Sequence, residues 1–176
     1  MKKLEKIVVP TDFSEQSRRG VEYAAWLAAE NEGQLLIMHV ANEFAAWELY
    51  DDAFGYSETW PLDHVFAEAA LELNRFVEPH TALLNKVPVL AKRLVLGPVP
   101  QQIISIAEKE KADLIVLSPR GQRGWTRLLS AGITEQVTRM SPCPVLSVTP
   151  PKPSKQWRGK LLPASFGWSR PSAETA

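Results

Sequence analysis

Five short apolar runs, alternating with stretches of helical spacing, constrain this 176-residue chain more tightly than any other feature. The runs are LEKIVVP (4–10), QLLIMHV (34–40), VPVLAKRLVLG (87–97), DLIVLS (113–118) and CPVLSV (143–148). QLLIMHV has no polar alternation, the mark of a strand buried on both faces. Between them, SEQSRRGVEYAAWLAAENEG places Val21, Ala24, Ala25 and Ala28 on one helical stripe, and residues 62–84 return to the same spacing. PVPQQIISIAEKEKAD reads as a helix with Pro98 or Pro100 in its first turn and Ile103, Ile104 and Ala107 inward. ITEQVTRM puts Ile133, Val137 and Met140 on one face. Five strands and four helices in this order predict an α/β domain: an open parallel sheet with helices on both faces and right-handed crossovers.

Such sheets bind ligands beyond the carboxyl ends of their strands, where the strand order reverses. If the first and fourth strands are neighbours there, the loops PTDFS (10–14) and SPRGQRG (118–124) share one crevice. A glycine loop between a strand and a helix offers backbone N–H groups and a helix dipole to phosphate, and Arg120 and Arg123 add charged donors. The same loop also reads as a plain turn with solvated arginines. Asp12 is placed to cap a helix, accept from a ribose hydroxyl or hold a metal, with capping by Asp12 or Ser14 the commonest outcome.

Several chemistries are excluded by what is missing. His39, His64 and His80 have no metal spacing, and no serine lies in a Gly-x-Ser-x-Gly elbow. A receiver domain wants an aspartate at the end of the third strand, where this chain has LVLGPV. An RNA-clamping Gly-x-x-Gly joins two helices, whereas this one follows a strand. No catalytic constellation is present. An apolar fraction of 45% and a charged fraction of 23% fit an ordinary folded domain. Pro10 and Asp12 cut short the amino-terminal apolar stretch, and no run nears the roughly 20 residues a membrane span needs. Cys143 sits alone in an apolar stretch, which predicts a packing role in a reduced compartment; the expected localisation is cytoplasmic.

Two segments break the pattern. Residues 41–63 hold six acids, six aromatics and no lysine or arginine, and FAAWELYDDAF has the spacing of a short amphipathic helix. Residues 150–176 are proline-rich and carry Trp157, Phe166 and Trp168 with Lys152, Lys155, Arg158, Lys160 and Arg170 against Glu174 alone. That tail is basic by four charges and the remainder acidic by four, so the tail is expected to dock on segment 41–63. Its mixed spacing argues against a grip on nucleic acid or a membrane surface.

VVPTDFSEQS, LLIMHV, ADLIVLSPRGQRG and SPCPVLSV, in this order and spacing, resemble the universal stress protein family over residues 3–149. The resemblance implies a domain over 1–149, with the insertion and the 150–176 extension outside it. It also implies strand order 3-2-1-4-5 and a homodimer formed through the last strand, at Pro144, Val145, Leu146, Ser147 and Val148. Nucleotide-binding members carry Gly, two residues, Gly, nine residues, then Gly-Ser or Gly-Thr. Here those places are Ser118, Gly121, Ala131 and Gly132, so one of the four survives. Asp12 and Val40 match the family's adenine and ribose contacts, Gly124 matches a further glycine, and Pro10 and Thr11 belong to the same loop as Asp12. A lost charged hydrogen bond costs about 1.5–3 kcal/mol, roughly tenfold to a hundredfold in affinity. The resemblance therefore implies a non-enzymatic protein acting through an unidentified protein partner, with ATP bound weakly or not at all. The alternative is an ATP or AMP sensor, with Mg²⁺, in which Arg120 and Arg123 replace the missing contacts. A nucleotide-handling enzyme of a related fold stands third, its His-x-Gly-His and Ser-Gly-Gly-x-Asp-Ser signatures being absent.

Overall fold

The first strand, β1 (Lys6–Thr11), runs one residue beyond the proline that was expected to stop it. Proline removes a ladder donor, but β1 pairs with its neighbour on one side only at Ile7 and Val8, so Pro10 lies past the last of those pairs. The computed structural model of the chain describes residues 3–41, 62–118 and 132–149. After β1 come α1 (Glu15–Glu30), β2 (Gln34–Ala41) and α2 (Leu62–Val77). A 3₁₀ turn (Glu78–His80) and the short α3 (Thr81–Leu84) lead to β3 (Val89–Leu96) and α4 (Val99–Lys109). β4 (Leu114–Leu117), α5 (Ile133–Met140) and β5 (Val145–Ser147) complete the series. The helix expected over 62–84 is thus divided, and Pro79, which has no N–H for an α-helical bond, sits at the division.

All pairings are parallel and the order is β3-β2-β1-β4-β5, as expected. One face of the sheet presents Ile7, Val9, Leu35, Ile37, Leu114 and Val116 to Val21, Ala24, Ala25 and Ala28 of α1 and to α2 and α3. The other presents Val8, Leu36, Met38, Ile115 and Leu117 to α4 and α5. Each fully buried aliphatic side chain contributes about 1.5–3 kcal/mol, so these two clusters hold the layers together.

Two expected helix faces are corrected. On α4 the buried residues are Ile103, Ile106 and Ala107, and Ile104, at the border of that stripe, is only partly buried. On the eight-residue α5 only Val137 is buried, while Ile133 and Met140 are 44% and 43% exposed. That helix touches the sheet through its middle turn alone. The helix expected in FAAWELYDDAF and the whole tail fall outside the described residues.

Candidate crevice at the strand ends

The order reverses between β1 and β4, and the loop after β1 is held there by local hydrogen bonds. Ser14 caps α1: its Oγ accepts from Ser17 N at 3.2 Å. Asp12 does not cap; its Oδ1 accepts from Ser14 N at 3.1 Å and from Ser14 Oγ at 2.5 Å, orienting the cap. Thr11 is buried, its Oγ1 2.9 Å from Ser17 Oγ and accepting from Phe13 N at 3.0 Å. Val40, at the end of β2, is buried on the opposite face of the sheet.

Phe13 adopts φ of 62°, the left-handed region that costs a bulky residue about 1–3 kcal/mol. That turn lays its ring on His39, with centroids 4.1 Å apart, and tilts it against Phe76 at 5.6 Å. His39 Nδ1 donates to Thr11 O at 2.8 Å. A groove of about 610 Å³ opens beside this stack, lined by Phe13, Arg18, Glu68, Leu71, Glu72, Arg75 and Phe76. The sequence reading passed over Phe13, Arg18 and Phe76; a left-handed phenylalanine after Asp12 leaves no periodic signal.

At the β4 end, Ser118 directs its side chain at α1 rather than outward. Its Oγ is buried, has no hydrogen-bond partner among the described residues, and would lie 2.6 Å from a Cβ at Gly20. Gly132 is the N-cap of α5, with no side-chain cap and, among the described residues apart from its chain neighbours, no atom within 4 Å of where its Cβ would be. The first-turn N–H groups of α5 thus lack the hydroxyl that a serine or threonine would supply. Pro10, Thr11 and Asp12 lie at the carboxyl end of β1, Ser118 at that of its neighbour β4, and Gly132 at the start of α5; Arg120, Gly121, Arg123, Gly124 and Ala131 lie outside the described residues.

Among the described residues, no group of three His, Cys, Asp or Glu side chains is arranged to hold a metal ion, and no helix is long and apolar enough to cross a membrane. Pro144 to Val148 runs along β4, with Ile115 N donating to Pro144 O at 3.0 Å and Val148 N to Leu117 O at 2.7 Å. Cys143 packs against the α4 and α5 cluster, and burial holds its thiol above the ordinary value, as suits a packing role.

Residues 3–149 match the Universal stress protein family. Universal stress protein MJ0531 of Methanocaldococcus jannaschii is 29% identical over 160 residues, covering 84% of this chain and 83% of that protein. Among solved structures, that of the hypothetical protein MJ0577 superposes with a TM-score of 0.64 at 23% identity, covering 86% of this chain and 99% of the other. A universal stress protein in complex with cAMP superposes with a TM-score of 0.63 at 22% identity, covering 84% and 98%. With the strand order, the reversal between β1 and β4 and this match over most of its length, the chain belongs to the universal stress protein family.

Proposed function

We propose that this protein is a non-catalytic, cytoplasmic universal stress protein that acts by binding a protein partner, and that its crevice holds adenine nucleotide weakly. One observation carries the weak binding: Gly132 opens α5 with no hydroxyl to offer a phosphate. Asp12 and Val40, which the resemblance matches to adenine and ribose contacts, support an adenosine end that persists, with affinity lost mainly at the phosphates. Calorimetric titration with ATP and Mg²⁺, and separately with AMP, tests this. Weak or absent heat for both is expected, and a low micromolar Kd for ATP would overturn the reading.

A second reading is an ATP or AMP sensor using Arg120 and Arg123. It is supported by the solved relative that holds cAMP. The same titration separates the two, with Arg120→Ala and Arg123→Ala abolishing binding in the sensor. Turnover of ATP above the background of an Asp12→Ala control would instead support an enzyme. For assembly we propose a homodimer through residues 144–148 and a tail, 150–176, docked on segment 41–63.

A further inference from the structure

Where α1 meets the end of α2, Arg18 and His80 form a contact whose protonation pattern is dictated by its partners. Arg18 Nη1 lies 3.4 Å from His80 Nε2. A guanidinium can only donate, so Nε2 is the acceptor and carries no proton. His80 Nδ1 then holds the ring proton and donates it to Glu22 Oε1 at 3.2 Å. The ring is therefore the neutral Nδ1–H form, fixed from both sides. An ion pair between His80 and Glu22 would raise the histidine and lower the carboxylate. Instead burial first, then Arg18, holds His80 below its ordinary value, while burial first, then Glu15, pushes Glu22 up. Both shifts describe a contact between an uncharged ring and a partly buried carboxyl group.

Arg18 also ties this contact to the crevice. The same Nη1 donates to Phe76 O at 3.1 Å, and the guanidinium lies 4.7 Å over the Phe76 ring. Phe76 packs on Phe13, Phe13 stacks on His39, and His39 donates to Thr11 O. One side chain thus anchors a row of rings that ends at the mouth of the crevice.

We propose that the Arg18–His80 contact is an acid-sensitive latch: protonation of His80 at Nε2 expels the Arg18 guanidinium, frees the Phe76 end of α2 and loosens the ring stack beside Asp12. The proton comes from solvent and only the Nε2–H bond forms. Once it has formed, two cationic donors face each other across 3.4 Å and neither has an acceptor in the other. His80 keeps Glu22 as an ion-pair partner, whereas among the described residues the carboxylate paired with Arg18 is the exposed Glu15, 3.1 Å from its Nε. The charged groups around the ring are Glu15, Arg18, Arg19 and Glu22 of α1, Glu68, Glu72 and Arg75 along the α2 side of the groove, and Glu78 on its own turn. The short α3 brings none. With Glu22 the nearest acid and Arg18 the nearest base, the change on acidification is a transfer of His80 from Arg18 to Glu22.

The test is an NMR titration of the full-length protein between pH 7.5 and 5.0, following the His80 ring, the Arg18 Nε–H and the Phe76 ring. All three are expected to move with one midpoint below 6.5. His80→Gln, which still accepts and donates, should remove the Arg18 and Phe76 transitions, and Arg18→Met should bring the His80 midpoint closer to 6.5. A titrating His80 with unmoved Arg18 and Phe76 signals overturns the latch, as does a transition that persists in His80→Gln. Should that variant fail to fold, the shared or separate midpoints in the unaltered protein decide alone.

Discussion

Ser118 Oγ rests against Gly20, on the second turn of α1, where a methyl group would meet it at 2.6 Å. The pair is complementary: a hydroxymethyl group at the end of β4 occupies space that a glycine on the helix leaves open. Gly20 in a helix interior costs about 0.5–1 kcal/mol relative to alanine, and the buried hydroxyl lacks a partner among the described residues. Gly20→Ala alone should therefore lower stability by about 1 kcal/mol, the overlap outweighing the helix gain. Ser118→Gly with Gly20→Ala should restore or exceed the starting stability, giving a coupling of about 1–2 kcal/mol between neighbours. Urea denaturation of the single and double variants measures it. Additive effects would show that the two side chains do not meet.

Gly132→Ser supplies what the amino end of α5 lacks. As a cap, serine gains only a few tenths of a kcal/mol over glycine. As a phosphate donor, its hydroxyl should raise ATP affinity about tenfold or more, since a hydrogen bond to a charged group is worth about 1.5–3 kcal/mol. A melting temperature nearly unchanged without ligand, but raised in the presence of ATP and Mg²⁺, is the expected result. Among the described residues, nothing beyond its chain neighbours crowds the place of a side chain at Gly132.

The layered architecture was legible because it follows from periodicity: Val21, Ala24, Ala25 and Ala28 were named from spacing and are all fully buried. The crevice was legible only in outline. Asp12 and Ser14 were both credible caps, and their choice depends on a hydroxyl that donates to one neighbour while accepting from another. The closeness of Ser118 to Gly20 was not legible, because the sequence does not say which way a side chain turns and Gly20 lies far from Ser118 along the chain. The stack of Phe13, His39 and Phe76 joins three elements through a single left-handed residue, which no window of sequence reveals.

Ser14→Ala removes the cap of α1 and the donor that Asp12 accepts from. Loss of stability of about 1 kcal/mol is expected, within the range of 0.5–2 kcal/mol for such caps. Because Asp12 then loses the Ser14 hydroxyl that helps to orient it, AMP affinity should fall alongside stability. Ser14→Thr, which retains a capping hydroxyl, should recover most of both in thermal melts and calorimetry.

Deleting residues 150–176 tests the proposed docking of the basic tail on the acidic segment 41–63. Two surfaces of opposite charge and matching aromatic content should separate at a cost, so the truncated chain should melt several degrees lower or change its oligomeric state. High salt should shrink the difference by screening the exposed charges. Identical melting and identical sedimentation for the two chains would show the tail to be free.

Glu22 and His80 give stability opposite pH dependences, and one substitution separates them. Glu22 is pushed above its ordinary value of 4.5, chiefly by burial, so between 4.5 and its folded value the native protein holds a proton that the unfolded chain has released. Stability falls there as pH rises, and above the folded value the whole penalty stands. His80 lies below 6.5, so the unfolded chain takes up its proton first as pH falls. Its contribution is present above 6.5 and is lost as pH drops from there toward the folded value. Glu22→Gln keeps an oxygen for the His80 Nδ1–H and removes the carboxylate. The variant should be more stable than the parent at pH 7, by less than about 1 kcal/mol because the group is partly solvated, which is roughly 1–3 °C for a chain of this size. That advantage should vanish as pH falls through 4.5, where Glu22 is protonated in both folded and unfolded chains. Melting curves of both proteins from pH 4 to 8 provide the comparison, and a variant less stable than the parent at pH 7 would mean that the charged carboxylate, not its neutral form, is what the fold prefers.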